Sequence, residues 1–122
     1  MKYLCLAYEA EAIFHAMPRA EWEALREETL TYVASLQASG HLLLTNALQS
    51  ARTAMTVQVR NTGVIVSDGP FAETKEQLGG FFLIEARDMD EAITIAAKWP
   101  GARYGEIEVR PIEETLDVNS RY

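Results

Sequence analysis

Cysteine is almost absent from this 122-residue chain. Cys5 stands alone, so no internal disulfide can form and a reducing compartment is expected. Histidine is nearly as scarce. His15 and His41 have no HExxH or CxxC companions, which leaves no transition-metal site, although carboxylates alone could hold a hard cation. GxGxxG, the P-loop and the GxSxG elbow are all missing, so the sequence asks for no nucleotide, flavin or other cofactor. Basic residues are outnumbered 11 to 18 by acidic ones, giving a net charge of −7 at pH 7. With no Lys/Arg cluster to offset it, that charge repels a phosphate backbone and excludes nucleic acid as the expected partner. Long hydrophobic runs are lacking as well. The apolar stretch Tyr3–Tyr8 is cut off by Glu9 and Glu11, too short for a signal-peptide core or a membrane span, and a cytoplasmic protein without a membrane partner is expected.

What is present is ordinary for a folded protein: 48% hydrophobic and 24% charged residues. The length suits one domain, expected over residues 1–111 with a polar tail at 112–122. Tyr3–Tyr8 reads as a strand apolar on both faces. Pro18 can open a helix whose stripe is Trp22, Leu25, Thr29, Val33 and Leu36, and Gly40 can stop it. His41–Ala47 is a second two-faced strand. Met55, Val57 and Val59 alternate with polar residues, and Asn61-Thr62-Gly63 turns the chain into Val64-Ile65-Val66, a hairpin. Phe81–Ile84 is the next strand, led in by Gly79-Gly80. Asp88 with Glu91 forms a capping box for a helix buried through Met89, Ala92, Ile93, Ala96 and Trp99 and ended by Pro100-Gly101. Ile107 and Val109 belong to a closing strand.

This order predicts an α+β fold, a ferredoxin-like βαββαβ sheet with an inserted β-hairpin. Two helices cover one face of such a sheet, yet three strands are apolar on both. Leaving those second faces in water would expose a larger patch than monomers usually carry. A homodimer packed sheet to sheet, of the dimeric α+β barrel type with a cleft, is therefore expected.

The segment from Ser67 to Gly80 is read as a loop with at most one helical turn. Asp68-Gly69-Pro70-Phe71, followed by Glu73, Lys75-Glu76 and Leu78-Gly79-Gly80, resembles the signature of YCII-related proteins of the DGPF type. Met1-Lys2-Tyr3-Leu4 with Tyr8, the Pro100-Gly101-Ala102 turn and Glu108-Val109-Arg110-Pro111 are similar too, so the resemblance covers residues 1 to 111. It implies a dimeric ferredoxin-like fold in bacterial cytoplasmic proteins of mostly unassigned activity. Wider YCII relatives are thought to use a His–Asp pair in a cleft. This chain has Trp99 where they place an acid, and neither His15 nor His41 sits in a matching motif. Some DGPF proteins accompany extracytoplasmic-function sigma factors, which implies a non-catalytic regulatory or protein-interaction alternative.

The catalytic candidates are Asp68, Glu73, Lys75 and His15. Asp68 is either a proton-transfer group or a turn aspartate tying the loop together. Glu73 and Lys75 either serve a ligand, Lys75 by stabilising a developing anion, or form a surface ion pair of little value. His15 follows the first strand near where a cleft would open. Tyr8, Phe71 and Arg110 are ligand-binding candidates. Cys5, inside a buried strand, reads as an inert thiol. The expected function is binding or transformation of a small molecule by cofactor-free acid–base chemistry.

Overall fold

The protein is described by a computed structural model over residues 1–115. Strand β1 (Lys2–Glu9) leads into a short helix α1 (Glu11–Ala16) and the long helix α2 (Arg19–Ala38). Strand β2 (Leu42–Ala47), the hairpin β3 (Met55–Arg60) and β4 (Gly63–Asp68), and strand β5 (Gln77–Glu85) follow. Helix α3 (Met89–Ala97) and strand β6 (Gly105–Pro111) complete the order. The main sheet runs β2-β5-β1-β6 with every neighbouring pair antiparallel, the ferredoxin-like arrangement, while β3 and β4 pair only with each other. The α+β fold with an inserted hairpin is thus the one expected from the order of elements.

Period-two alternation sorts the sheet into two faces. Tyr3, Cys5, Phe82 and Ile84 are buried against the helices, joined by Leu36, Leu42, Ala92, Ile95 and Ala96. Trp99 stacks on Phe82 with ring centroids 4.0 Å apart and meets Tyr32 edge-on at 6.1 Å. The Tyr32 hydroxyl donates to the Ile95 carbonyl at 2.7 Å, so α2 and α3 share a polar tie inside an apolar layer. Cys5 is fully buried, and burial pushes its thiol up to about 12. On the opposite face Leu4, Leu6, Phe81 and Leu83 pair across β1 and β5 and remain half exposed.

The helix ends follow their sequence signals. Gly40 takes φ +79° just beyond α2, which only glycine adopts without strain. Asp88 accepts from the Glu91 amide at 2.9 Å, and Glu91 reaches back to the Arg87 amide at 3.1 Å. Three features differ from the sequence expectation. The segment after β1 is helical, because two turns form at α1 without any side-chain cap to announce them. Ile93 is half exposed and Ile95 buried in its place, a rotation of the α3 stripe. Gly79 and Gly80 lie within β5 and not ahead of it, beside a bulge opposite Ala7 and Tyr8. Between β4 and β5 the chain forms bends without a helical turn.

The hairpin stands apart. Every residue of β4 is exposed, and Val59 and Val64, cross-strand partners, are each 67% accessible. Beyond β6 the backbone still follows β1, Ile112 donating to the Lys2 carbonyl at 2.9 Å. The tail expected over 112–122 otherwise lies, from residue 116 on, outside the described residues. Among the described residues no helix is long and apolar enough to cross a membrane.

Candidate functional site

A row of small residues opens a cleft. In register, Ala7 of β1 faces Gly80 of β5, and Gly80 faces Ala47 of β2. Their Cβ-poor surface lies at the end of the sheet roofed by the first turns of α2. Further along, where α2 passes over Phe82, Ile84 and Leu42, the same layer is filled. The result is a cavity of about 560 Å³ between helix and sheet. Its walls are Phe14 of α1, Trp22, Leu25, Arg26, Thr29, Leu30 and Val33 of α2, and Trp99, with Ala7, Glu9, Gly79, Gly80 and Ala47 on the sheet side. Trp22 is 44% exposed because it borders this cleft instead of joining the core. The roof is held by Arg103, whose two guanidinium nitrogens bind both Glu28 oxygens at 2.8 and 2.7 Å, tying α2 to the turn Pro100–Arg103.

Glu9 is the acid of this cleft. Being two residues past Ala7, it projects from the helix-facing side of β1. A Cβ at Gly79 would overlap its carboxyl, so the glycine makes the seat in which that group rests. Desolvation by burial, helped by the charge of Glu11, raises the Glu9 pKa above the ordinary carboxylate value. Glu11 is shifted the other way. It accepts from the Ala51 amide at 2.9 Å and from the Ser50 hydroxyl at 3.1 Å, and these bonds, with the Arg52 and His15 charges, hold its pKa down. Two carboxyls separated by one residue thus differ in environment, one inclined to keep a proton and one held ionised. Such divergence marks acid–base assignments in general.

The residues singled out from sequence are distributed otherwise. Asp68 is exposed at the end of β4, and Glu73 is exposed in the following bends. His15 is exposed in the last turn of α1. Phe71 is 91% exposed. Arg110 pairs with Glu108 of its own strand at 2.6 Å. Tyr8 and Lys75 line one shallow recess, with Thr74, Glu76, Glu106, Ile107 and Glu108, on the far side of β1. There a hydrogen bond that protonated Glu106 donates to Glu76, with some burial and the Glu76 charge, raises the Glu106 pKa. Asp68, Glu73, Lys75 and His15 do not line the helix–sheet cleft. In the sequence Glu9 reads only as the charge that ends a strand. Its signal lay in the period: a glutamate in phase with Tyr3, Cys5 and Ala7, the buried side of β1. Among the described residues no group of three His, Cys, Asp or Glu side chains gathers as a metal site.

The family model of the YCII-related domain matches residues 1–115. The chain belongs to the YCII-related domain family. A YCII relative, an uncharacterized protein of Rhizobium meliloti (strain 1021), is 35% identical over 114 residues, covering 92% of each chain. Among solved structures, the 5-chloro-2-hydroxyhydroquinone dehydrochlorinase of Burkholderia phenoliruptrix, in complex with 2,5-dihydroxybenzoquinone, superimposes with a TM-score of 0.56. That match covers 94% of this chain and 96% of the other at 16% identity, a likeness of fold.

Proposed function

We propose that this YCII-related protein binds a small, largely apolar molecule in the helix–sheet cleft and moves a proton on it with Glu9, without a cofactor. The observation that carries the reading is the Glu9 carboxyl, half buried among apolar walls with its pKa raised by desolvation, beside a Glu11 shifted downward. A carboxyl whose pKa is raised above the ordinary carboxylate value by desolvation is better matched to giving and taking a proton than a solvated one. The dehydrochlorinase of similar fold supports the reading by analogy, since loss of HCl requires a proton to be moved; fold analogy alone would not establish a reaction.

The test is a carbon-detected NMR titration of the Glu9 carboxyl beside a thermal-shift screen of small metabolites on wild type and Glu9→Gln. Glu9 should titrate above an ordinary carboxylate, and stabilising compounds should show a pH dependence that the variant lacks. A Glu9 that titrates at or below the ordinary value would sink the proposal, as would compounds that stabilise both proteins alike at every pH.

The proposal includes a homodimer. Its support is the apolar face of the hairpin, where Met55, Val57, Val59, Val64 and Val66 are all exposed, together with Phe71 and the half-exposed Leu4, Leu6, Phe81 and Leu83 of the sheet. Packing against a second copy would bury these groups and bring the Tyr8–Lys75 recess, with Asp68 and Glu73 near its loop, against the partner. A proton-transfer part for Asp68 and an anion-stabilising part for Lys75 would belong to that second recess. Light scattering should give twice the chain mass, and Val66→Asp, placed opposite Val57, should give the single mass with unchanged helix content. A monomeric wild type refutes the dimer and leaves the cleft proposal standing.

A further inference from the structure

The geometry points to a planar aromatic molecule with a single anionic group as the ligand of the cleft, with Arg26 as its anchor. This inference rests on the cleft being the ligand site, as proposed above.

Among the described residues Arg26, unlike four other arginines, is in no ion pair, and unlike Arg52 and Arg60, which also form none, it lines the cleft. Arg19 pairs with Glu23 at 2.9 Å, Arg87 with Glu91 at 2.6 Å, Arg103 with Glu28 at 2.7 Å and Arg110 with Glu108 at 2.6 Å. Arg26 lies between Glu23 and Glu27 in sequence, in a chain with a net charge of −7, yet among the described residues its guanidinium makes no ion pair or hydrogen bond. It lies instead on the cleft wall, one helical turn after Trp22. A guanidinium presents a planar fork of donors that matches a carboxylate or phenolate oxygen.

The other walls select shape. Phe14, Trp22 and Trp99 come from three separate segments and line the cleft together with Phe81 and Phe82 of β5, Trp99 stacking on Phe82. Rings of this kind favour offset or edge contact with another flat ring. About 560 Å³ falls within the range of small-molecule sites. The charge count limits the ligand to one negative charge. Among the described residues Arg26 is the sole cation on the cleft wall, Glu9 shares that wall, and a second anionic group would meet no other cation of theirs there.

The experiment titrates benzoate and its neutral isostere benzamide into the protein at neutral pH, reading tryptophan fluorescence in wild type, Arg26→Gln, Arg26→Lys, Trp22→Phe and Trp99→Phe. Arg26 is exposed, so its variants should keep the fold. Benzoate should bind the wild type about tenfold or more tightly than benzamide, the usual gain from a charge-assisted bond. Arg26→Gln should bring benzoate to the level of benzamide without weakening benzamide, and Arg26→Lys should restore part of the difference. Trp22→Phe and Trp99→Phe should each remove part of the fluorescence change, since both tryptophans line the cleft. Equal binding of the two probes to wild type overturns the inference, as does an equal loss of both in Arg26→Gln; either result leaves the Glu9 proposal intact. A fluorescence change undiminished in both Trp22→Phe and Trp99→Phe, or no binding of either probe, overturns the inference.

Discussion

The seat under Glu9 allows a double-mutant test of the cleft. Gly79 has an ordinary negative φ, since positive values occur at Gly40, Gly63 and Gly69, so alanine is sterically allowed by its backbone. In a strand, glycine is about 0.5–1 kcal/mol less favourable than alanine, and an unopposed Gly79→Ala should therefore stabilise by about that much. It is not unopposed. The new Cβ would lie 2.5 Å from Glu9 Cδ and 3.0 Å from Cγ, and would overlap the carboxylate oxygen. Because those atoms end a flexible side chain, the clash is relieved by swinging the carboxyl out, at about 1–3 kcal/mol for overpacking. Gly79→Ala should thus be neutral to about 2 kcal/mol destabilising in the wild type. In a Glu9→Ala background it should stabilise by about 0.5–1 kcal/mol. Urea unfolding of the four proteins gives the coupling, expected at about 1–3 kcal/mol. In the single variant the displaced Glu9 should titrate nearer the ordinary carboxylate value. Additive effects in the cycle, with an unmoved Glu9 titration, would refute the seat and with it the account of why this carboxyl is desolvated.

Three further outcomes follow from the same geometry. The native state holds the Glu9 proton to a higher pH than the unfolded chain does, so this group stabilises below about pH 4.3 and its contribution is lost as pH rises through the raised native value. Subtracting Glu9→Gln from wild type across a pH series of urea midpoints should expose that loss, while Glu11, shifted downward, acts below the window; a flat difference would contradict the shift. Asp88→Ala removes the cap on the Glu91 amide and should cost about 1 kcal/mol, a fall of about 4 °C in Tm by calorimetry, whereas an unchanged Tm would show that the cap is idle. The Cys5 thiol, buried and pushed up to about 12, should react with a disulfide reagent at the rate of global unfolding; prompt modification in native buffer would contradict its burial.

The fold was legible because its signals are local. Pro18 and Gly40 bracket α2, Asp88 and Glu91 box the start of α3, a short apolar run cut off by charge delivers β1, and period-two alternation delivers β3 and β6. The helix α1 escaped because six residues with an alanine at the cap carry neither a start signal nor a full apolar stripe. Ile93 and Ile95 exchanged places because two isoleucines two residues apart cannot both face the core, and periodicity alone does not choose between them.

The cleft was less legible, and the reason is physical. A cavity is a deficit of side-chain volume, and Ala7, Ala47 and Gly80 form one only when β1, β2 and β5 bring them into register, across separations that no local window spans. Read singly, each is an unremarked small residue in a strand, and Gly79-Gly80 passes for a loop. Glu9 escaped for the complementary reason. At the end of an apolar run a glutamate normally marks solvent, and here the strand does end, but with the side chain still on the helix-facing side and an aromatic roof above it. The same row of small residues that leaves a gap beneath α2 therefore gives the carboxyl its partly buried seat. The long motif from Asp68 to Gly80 touches this site only at its last residues. Gly79 and Gly80 shape the cleft, whereas Asp68, Phe71 and Glu73 face outward, where a second copy of the chain is the partner proposed. One motif can thus serve two surfaces, its glycines an acid on one face of the sheet and its turn an interface on the other.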